Sequence, residues 1–416
     1  MIDIKLIRED KERVKIDVRK KGYDAAIIDR IFDLDVRYRE CARIEQTLQH
    51  ERQEHDGRTE EGRAALKDLK AKINDAEKKR ILVEKERDEL LFDVPNLPDP
   101  SVAVGPGESA NRVIRTWGDK PKFGFEPKDH FVLGNVLKIF DFDAGAKIAG
   151  SQFYYLDGDG ALLEFALIQY GLDALVREGF MPTITPDLAR SEFYRGTGYM
   201  PKGDEGQTYV IEGEDLGLIA TAEVTLAGRH ADTTFDRSRL PVRYAGVSHC
   251  FRKEAGAYGK YSKGLYRVHQ FTKMEMFVIC VPEESGATHE RLLDIEERIW
   301  QGLKIPYQVI QMGSGDLGSS AAKKYDIEAW MPGRGEYGEV TSTSNCTDYQ
   351  SRNFRISVKN KEGKNEFTHM LNGTALAISR AIIAVLENYQ QADGSVRVPD
   401  ALIPYMHGVV SITPKL

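Results

Sequence analysis

The densest group of residues suited to chemistry lies between residues 250 and 278, around a basic loop. The charged side chains in and beside this loop include Arg252, Glu254, Lys260, Lys263 and Arg267. A guanidinium group donates hydrogen bonds in a planar fork that matches phosphate or carboxylate oxygens. The stretch therefore predicts an anion-binding cleft. A solvated surface loop would have a similar composition, so the loop alone leaves both interpretations open.

The residues on either side of the loop predict two strands. Tyr244–Phe251 leads into the loop, and from Gln270 to Phe277 polar and apolar residues alternate with the period of two that a sheet imposes. This alternation places Lys273 and Glu275 on one face of the second strand. We expect the strand pair to carry its charged side chains into the cleft.

Two further groups carry polar side chains that could bind a ligand. Thr221 and Glu223 end an apolar segment that begins at Leu216, which we interpret as a strand. On one strand face, this hydroxyl and carboxylate can receive an ammonium group, although Thr221 could instead cap a following helix. Glu339 and Ser342, on a predicted strand, form a sparse site for a hard cation that phosphate oxygens would have to complete.

A single arginine interrupts the most apolar segment of the chain. Residues 371–390 read as one buried helix, and Arg380 lies inside it. A buried arginine is costly unless it is paired with an anion. This makes Arg380 a candidate functional residue.

Residues 24–94 show a 3.5-residue apolar repeat on two segments separated by a polar break at Asp56-Gly57. The repeat predicts an antiparallel coiled-coil hairpin. Its seam consists of Ile27, Ile31, Leu34, Tyr38, Cys41, Leu48, Leu66, Leu69, Ile73, Ala76, Val83, Leu90 and Val94, with Glu45, Arg80 and Arg87 as polar interruptions. Basic residues gather near the tip and along the second helix, either as a nucleic-acid contact or as a solvated face. These are Arg58, Arg63, Lys67, Lys70, Lys72, Lys78, Lys79 and Arg80.

Three prolines between residues 95 and 100 end the arm, so we expect domains at 1–100 and 101–416. A net charge of −7 gives no global positive field, and any nucleic-acid contact must be local. The four cysteines lack zinc-site spacing, and no apolar run is long enough to cross a membrane. We therefore expect a cytoplasmic protein without zinc.

Taken in order, these motifs resemble those of class II aminoacyl-tRNA synthetases, and in detail those of the seryl-tRNA synthetase family. The Phe251-Arg252-x-Glu254 pattern with its basic loop resembles motif 2, and the Arg380 segment resembles motif 3. A helix over 162–178, followed by a strand ending at Pro186, resembles motif 1. The Thr-Ala-Glu at 221–223 resembles the serine-binding loop, and the likeness covers essentially the whole chain.

The resemblance implies an α+β fold: an antiparallel coiled-coil helical hairpin, then a catalytic domain with a mainly antiparallel sheet flanked by helices. It implies a homodimer that activates L-serine with ATP and transfers it to tRNA(Ser), and to tRNA(Sec) where present. The arm and the motif 2 loop would contact the tRNA. Two alternatives stay open, an amino acid:carrier-protein ligase and a non-catalytic synthetase-like binding module.

The resemblance also implies a role for each matching residue. Serine would be bound by Thr221, Ala222, Glu223, Arg252, Glu275 and Thr374. ATP would be bound by Arg252, Lys253, Glu254, Val268, Glu339, Val340, Thr341, Ser342 and Arg380. Mg²⁺ would be held by Glu339 and Ser342, and catalysis would rest on Arg252, Glu339 and Arg380. The chain departs from the family pattern in its motif 2 loop, with Lys260, Tyr261 and Lys263, and in having a threonine at 374 where serine is frequent.

Overall fold

The computed structural model describes residues 1–56, 58–199, 208–254 and 264–415. The chain separates into two units, Met1–Pro98 and Asp99–Leu416. Their division falls inside the proline-rich segment that follows the arm. Each unit is described by itself below.

The first unit is entirely helical in its described part. It contains α1 (Ile4–Glu9), α2 (Lys11–Lys20), α3 (Ala26–Glu54) and α4 (Glu60–Leu91). Thr59 begins α4 as its N-cap, where its side chain accepts a hydrogen bond from the Gly62 amide. The long helices α3 and α4 pack together as the predicted antiparallel hairpin, and this part of the fold prediction is confirmed.

The seam between α3 and α4 follows the predicted repeat with small shifts at its ends. Ile28 is buried where the repeat pointed to Ile27, and Leu91 is buried where it pointed to Leu90. An α-helix with 3.6 residues per turn drifts gradually from a strict 3.5-residue repeat, and the drift accumulates toward the ends.

The polar residues that interrupt the seam are paired across it. The Arg80 guanidinium donates to Glu45 at 2.7 Å. Arg87 donates to Asp35 at 3.2 Å and lies over the Tyr38 ring at 4.4 Å. Each interruption in one helix therefore meets an opposite charge in the other, which fixes the register of the hairpin.

Asp35 is the centre of the largest of these polar groups. Its fully buried carboxylate accepts two hydrogen bonds from Arg8, each at 2.7 Å, and lies 3.0 Å from Arg39 Nε. Burial acts to raise the pKa of Asp35, but the Arg8 hydrogen bonds and the charges of Arg8, Arg39 and Arg87 outweigh it and lower the pKa. One carboxylate thus ties α1, α3 and α4 together.

The second unit contains eight helices and strands of an eight-stranded sheet in its described residues. The helices are α5 (His130–Leu137), α6 (Phe142–Ala149), α7 (Asp159–Arg177), α8 (Ser191–Thr197), α9 (Glu223–Gly228), α10 (Ser285–Gly302), α11 (Tyr349–Phe354) and α12 (Ile378–Tyr389). The sheet strands are β1 (Arg112–Trp117), β2 (Met181–Ile184), β3 (Val242–Phe251), β4 (Gln270–Cys280), β5 (Tyr307–Gln311), β6 (Lys323–Met331), β7 (Glu336–Asn345) and β8 (His369–Ala377).

Shorter elements complete this unit. Small sheets are formed by Phe140–Asp141 with Tyr155–Leu156, Leu188–Ala189 with Gly217–Leu218, Val396–Arg397 with Ser411–Ile412, and Thr234–Phe235 with Ser357–Lys359 and Asn365–Phe367. Single 3₁₀ turns cover Gly107–Ala110, Arg237–Arg239, Pro282–Glu284, Ser314–Asp316 and Ile403–Tyr405.

The large sheet has the strand order β1-β5-β6-β7-β8-β4-β3-β2. Every neighbouring pair is antiparallel except β2 and β3, which run parallel. Apolar side chains of α7, α10 and α12, among them Leu167, Trp300 and Ile382, pack against one face of the sheet to form the main core. The predicted mainly antiparallel sheet flanked by helices is confirmed.

The prediction of one helix over residues 371–390 is wrong. Residues up to Ala377 form β8, and α12 begins only at Ile378. β8 lies between β7 and β4 and is buried on both faces, so it lacks the alternation of a half-buried strand. Thr374 therefore lies on a central strand, while Arg380 lies in the first turn of the helix that follows.

Two general observations concern the described residues only. None of their helices combines the length and the apolar character that crossing a membrane requires. Within the same residues, no group of three His, Cys, Asp or Glu side chains could hold a metal ion.

We expect Asp35→Ala to destabilise the helical unit by about 3–5 kcal/mol, because Arg8, Arg39 and the buried Arg87 would lose the buried carboxylate that they share. Hydrogen exchange of full-length protein should then be faster across α3 and α4 than in the native chain. The matched control is Asp68→Ala, which removes an exposed pair with Lys72 and should change stability by less than about 1 kcal/mol. The pKa of Asp35 is lowered, so its contribution should be complete at neutral pH and disappear as pH falls through that pKa. Equal exchange in both variants would contradict this role.

Candidate active site

The face of the sheet opposite the main core carries most of the predicted site residues. Met274 and Met276 point into the core, so Lys273 and Glu275, which alternate with them, point to the other face. Glu275 is almost completely buried and lies opposite Gly246 of β3 and Thr374 of β8. The register thus brings together Glu275 and Thr374, which are distant in the sequence.

Thr221 links the Glu275 carboxylate to the backbone of Glu223 at this end of the site. Its hydroxyl donates to Glu275 Oε2 at 3.2 Å and accepts from the Glu223 amide at 3.3 Å. The predicted strand over 216–224 is wrong, because only Gly217–Leu218 is a strand and Glu223 begins α9. The N-cap of α9 is Ala222 and not Thr221, as the capping alternative had it, but the Thr221 hydroxyl still accepts from the first helical amide and links Glu223 to Glu275. Ala222 lies between them and is buried.

Glu223 is held by amide donors inside the protein. Gln350 and Asn372 each donate to its Oε1 oxygen at 2.7 Å. Burial and the neighbouring Glu275 raise the pKa of Glu223 to about 7, while the Gln350 hydrogen bond and the Lys273 charge act against that rise. The carboxyl group therefore changes its charge near neutral pH.

Glu275 differs from Glu223 because it has a cation as its partner. The buried Lys273 ammonium makes a short ion pair with Glu275 Oε2. Among the described residues, Glu223 forms no such ion pair with a Lys, Arg or His side chain. The pocket accordingly combines one neutralised carboxylate with one carboxylate whose charge is not offset by a direct contact.

The second end of the site is built around Arg380 and Glu339. Arg380 Nη1 donates to the Glu339 carbonyl at 2.9 Å and lies 3.3 Å from its Oε1 oxygen, and its guanidinium stacks on Tyr266 at 4.7 Å. Removal from water acts to raise the pKa of Glu339, but the charges of Arg380, Lys324 and Arg252 outweigh it and lower the pKa. The anion that the sequence requires for Arg380 is thus Glu339.

A β-bulge places Glu339 and Ser342 on the same face. Residues three apart on a regular strand point to opposite faces, but Glu339 pairs with Glu328 and Ser342 pairs with Asp326, and the register shifts between these pairs. Asp326 and Glu328 share a face of β6, so their partners share one too. Burial raises the pKa of Asp326 to about 7, although the Lys324 ammonium, 3.5 Å away, acts to lower it.

Several predicted nucleotide contacts have side chains that point into the protein. Val340 lies in the main core, and the Thr341 hydroxyl donates to the buried Glu296 at 2.9 Å. Val268 is also buried. Only the backbone of these three residues could face a ligand in the site.

The neck of the motif 2 loop is closed by contacts between its two sides. The Arg252 amide donates to the His269 carbonyl at 3.0 Å, and Arg267 Nη1 donates to Glu254 at 3.1 Å. Arg252 lies over the Phe271 ring at 5.3 Å, and Lys253 lies 5.8 Å from the Tyr209 ring. The loop positions at Lys260, Tyr261 and Lys263 fall outside the described residues.

The charge of Arg252 affects groups at both ends of the site. Its charge contributes to lowering the pKa of Glu339. It also acts on Tyr199, whose pKa is raised well above its ordinary value mainly by burial and by the Glu223 and Glu275 charges, which Arg252 opposes. The charge of one guanidinium therefore acts on groups at both ends of the site.

Sequence reasoning assigned no binding role to four residues that contact the predicted ones: Lys273, Gln350, Asn372 and Tyr199. For Lys273 a signal was present, because it alternates with Glu275 on the same strand face. Asn372 likewise precedes Thr374 by two residues, but the helix prediction concealed this relation. Nothing local indicates Gln350 or Tyr199, since their contacts depend on how α8 and α11 pack.

Comparison with known proteins matches both units. Residues 1–98 match the model of the seryl-tRNA synthetase N-terminal domain. Residues 208–389 match the model of the class II tRNA synthetase core domain (G, H, P, S and T).

Curated relatives and solved structures extend over the whole chain. The serine–tRNA ligase of Dictyoglomus turgidum is 49% identical, with 100% of both chains covered, and that of Treponema denticola is 49% identical, with 97% of this chain and 98% of the relative covered. The seryl-tRNA synthetase of Pyrococcus horikoshii complexed with ATP superposes with a TM-score of 0.94 at 41% identity and 100% coverage of both chains. The cytoplasmic serine–tRNA ligase of Naegleria fowleri in complex with AMP superposes with a TM-score of 0.91 at 34% identity, with 100% of this chain and 99% of that chain covered. The chain therefore belongs to the seryl-tRNA synthetase family.

Proposed function

We infer that this chain is a serine–tRNA ligase, which activates L-serine with ATP to seryl-adenylate and transfers the serine to the 3′-terminal adenosine of tRNA(Ser). The observation that best supports this inference is the buried cluster in which Thr221 contacts both Glu223 and Glu275. An amino acid that carries an ammonium group and a hydroxyl group needs acceptors for both, and this pocket supplies them.

The different partners of the two carboxylates suggest which group of the substrate each of them binds. Glu223 has no direct ion pair among the described residues, so it is suited to receive the ammonium group, together with Thr221. Glu275 is neutralised by Lys273 and lies beside Thr374, so it is suited to bind the serine hydroxyl. Alanine would offer no hydroxyl group to Glu275 and Thr374, so we expect the site to select serine over alanine.

Activation needs little chemistry from the protein. The serine carboxylate is ionised at neutral pH and attacks the α-phosphate in line, releasing pyrophosphate, so no general base is required. Positioning and charge neutralisation supply the rate enhancement. We assign Arg252 to the α-phosphate, because its charge acts on groups at both ends of the site, and Arg380 to the γ-phosphate. The adenine would lie against Glu254 and the backbone near Val268.

The position of Glu339 and Ser342 is suited to a Mg²⁺ ion. Both present oxygen ligands on one sheet face, and Glu339 remains 45% exposed. Mg²⁺ prefers oxygen ligands and commonly binds through one or two protein groups and substrate phosphates. Bound there, the ion would neutralise the phosphate charge, and Arg380 would be free to exchange Glu339 for a phosphate oxygen.

The surface of the second unit supports the proposed homodimer. Along α7 and β2, large apolar side chains are exposed: Phe165, Val176, Met181 and Ile184. β2 is an edge strand of the sheet, and Ile184 is 90% exposed. A monomer would leave this apolar surface and this edge in water, so we propose it as the dimer contact. A cytoplasmic location stays a prediction.

Two measurements test the proposed function. Purified protein should catalyse serine-dependent ATP–pyrophosphate exchange and should charge tRNA(Ser) with serine. Exchange without charging would support an amino acid:carrier-protein ligase, and the absence of both would support a non-catalytic module. Exchange stimulated equally by alanine and threonine would contradict the assignment of serine.

Glu275→Ala should reduce the preference for serine over alanine by about 1.5–3 kcal/mol in kcat/KM, because one hydrogen bond from the substrate hydroxyl to a charged group is lost. The KM for ATP should change little. Since the substitution also strands the buried Lys273 ammonium, the matched control is the double variant Glu275→Ala/Lys273→Met, which removes that cation. If both variants keep the native serine-to-alanine ratio in pyrophosphate exchange, Glu275 does not bind the hydroxyl.

The proposed role of the arm predicts that shortening it separates activation from charging. Replacing residues 41–83 by a short glycine-rich turn keeps the Asp35 cluster, which holds the base of the arm together. Serine activation should stay near native, and charging of tRNA(Ser) should fall at least about 100-fold, because phosphate contacts supply most nucleic-acid affinity.

A variant with three substitutions on the arm provides the control for this deletion. Lys72 and Lys79 already pair with Asp68 and Asp75, so the exposed Lys67, Lys70 and Lys78 are better placed for phosphates. Changing these three to serine should weaken charging most at low salt and make it less dependent on salt concentration, without altering exchange. Native charging by the shortened, folded chain would refute the role of the arm.

A further inference from the structure

Gln350 is a buried residue of α11 that contacts the amino-acid pocket from outside it. Its side chain is completely buried, and its amide nitrogen donates to Glu223 Oε1 at 2.7 Å and to the Thr197 carbonyl at 3.3 Å. Both neighbours are acceptors, so the nitrogen rather than the oxygen of the amide must face them. The orientation of this amide is therefore fixed by its partners.

Asn372 of β8 donates to the same carboxylate oxygen of Glu223, also at 2.7 Å. Two amides from different elements thus converge on Oε1, one from α11 and one from the central strand. Two donors on one oxygen fix the plane of a carboxylate and determine where its other oxygen points. In the described structure these donors come from residues that do not belong to the predicted serine-binding set.

We propose that Gln350 is a positioning residue for substrate selection, which holds Glu223 in the orientation that receives the ammonium group of the amino acid. The inference rests on the proposed function, because it assumes that Glu223 binds that group. Gln350 acts through Glu223 and does not itself touch the substrate.

The surroundings of Glu223 explain why such a donor is needed. Tyr199 follows α8 and hydrogen-bonds to Glu223, and the charged groups facing it from β4 are Glu275 and Lys273. Burial and the Glu275 charge favour the neutral acid, which binds an ammonium group poorly, whereas the Gln350 hydrogen bond favours the charged form. Loss of Gln350 should therefore shift Glu223 further toward its neutral form.

A purely structural role for Gln350 makes a different prediction, which the chain allows us to test. Asn353 lies on the same helix and donates to the Gly196 carbonyl at 2.6 Å, and Phe354 stacks on Phe193 at 5.8 Å. These contacts also tie α11 to α8, but they do not reach Glu223. Asn353→Ala is therefore a matched control that weakens the same packing without altering the carboxylate.

The test compares Gln350→Met, Gln350→Glu and Asn353→Ala in serine-dependent pyrophosphate exchange as a function of pH. Gln350→Met keeps the side-chain volume and removes the donor, so at pH 7 the KM for serine should rise about 10-fold or more, with the KM for ATP changing less than about 2-fold. Because serine binding requires ionised Glu223, kcat/KM for serine falls on the acid side. This acid limb should move to higher pH in Gln350→Met. The difference in kcat/KM for serine between the variant and the native protein should therefore become smaller toward about pH 8.5.

Gln350→Glu is nearly isosteric and decides the question if the methionine variant does not fold. A second carboxyl beside Glu223 removes the donor and adds a like charge, so the acid limb should move further than in Gln350→Met. Asn353→Ala should keep the native acid limb, whatever its stability. An unshifted limb in the Gln350 variants, or parallel increases in both KM values, would overturn the inference. If the native protein itself shows no serine-dependent exchange, the proposed function fails instead.

Discussion

The organisation of the active site depends on the burial of two carboxylates, Glu223 and Glu275, in one pocket. Like charges removed from water favour protonation, and a protonated acid cannot hold an ammonium group. The surrounding structure stabilises each carboxylate in a different way. Lys273 forms an ion pair with Glu275, and the amides of Gln350 and Asn372 donate to Glu223. The result is a pocket that keeps two acceptors with different partners for two substrate groups.

The site residues are brought together by the register of the strands and not by proximity in sequence. Antiparallel pairing sets Thr374 opposite Glu275 and sets Ser342 opposite Asp326. Where regular alternation would separate Glu339 from Ser342, a bulge restores them to one face. The opposite face carries a second apolar cluster with α9 and α11 and, beside it, the polar side chains of the site, so one sheet carries both the amino-acid end and the nucleotide end.

How much the sequence predicts depends on the range of the interactions involved. The hairpin follows from a repeat that is local, and strands β3 and β4 follow from alternation around a charged loop. The strand at β8 was mistaken for a helix because an element buried on both faces has no polar face to reveal its period. Arg380 was correctly expected to need an anion, but Glu339 could be identified only from the fold. Gln350 had no signal at all, since its partner lies 127 residues away in the sequence.

The direct junction of β8 with α12 has a consequence for how such a site can evolve. Thr374 and Arg380 occupy one uninterrupted segment, with the strand ending at Ala377 and the helix beginning at Ile378. The spacing between the two ends of the pocket is therefore set by covalent geometry and not by the packing of separate loops. Side chains along this segment can be exchanged to suit another amino acid, but its length cannot, because one added residue would rotate the arginine by about 100° around the helix. Diversification of substrate choice on this scaffold must proceed by substitution here and leave insertions to the connecting loops.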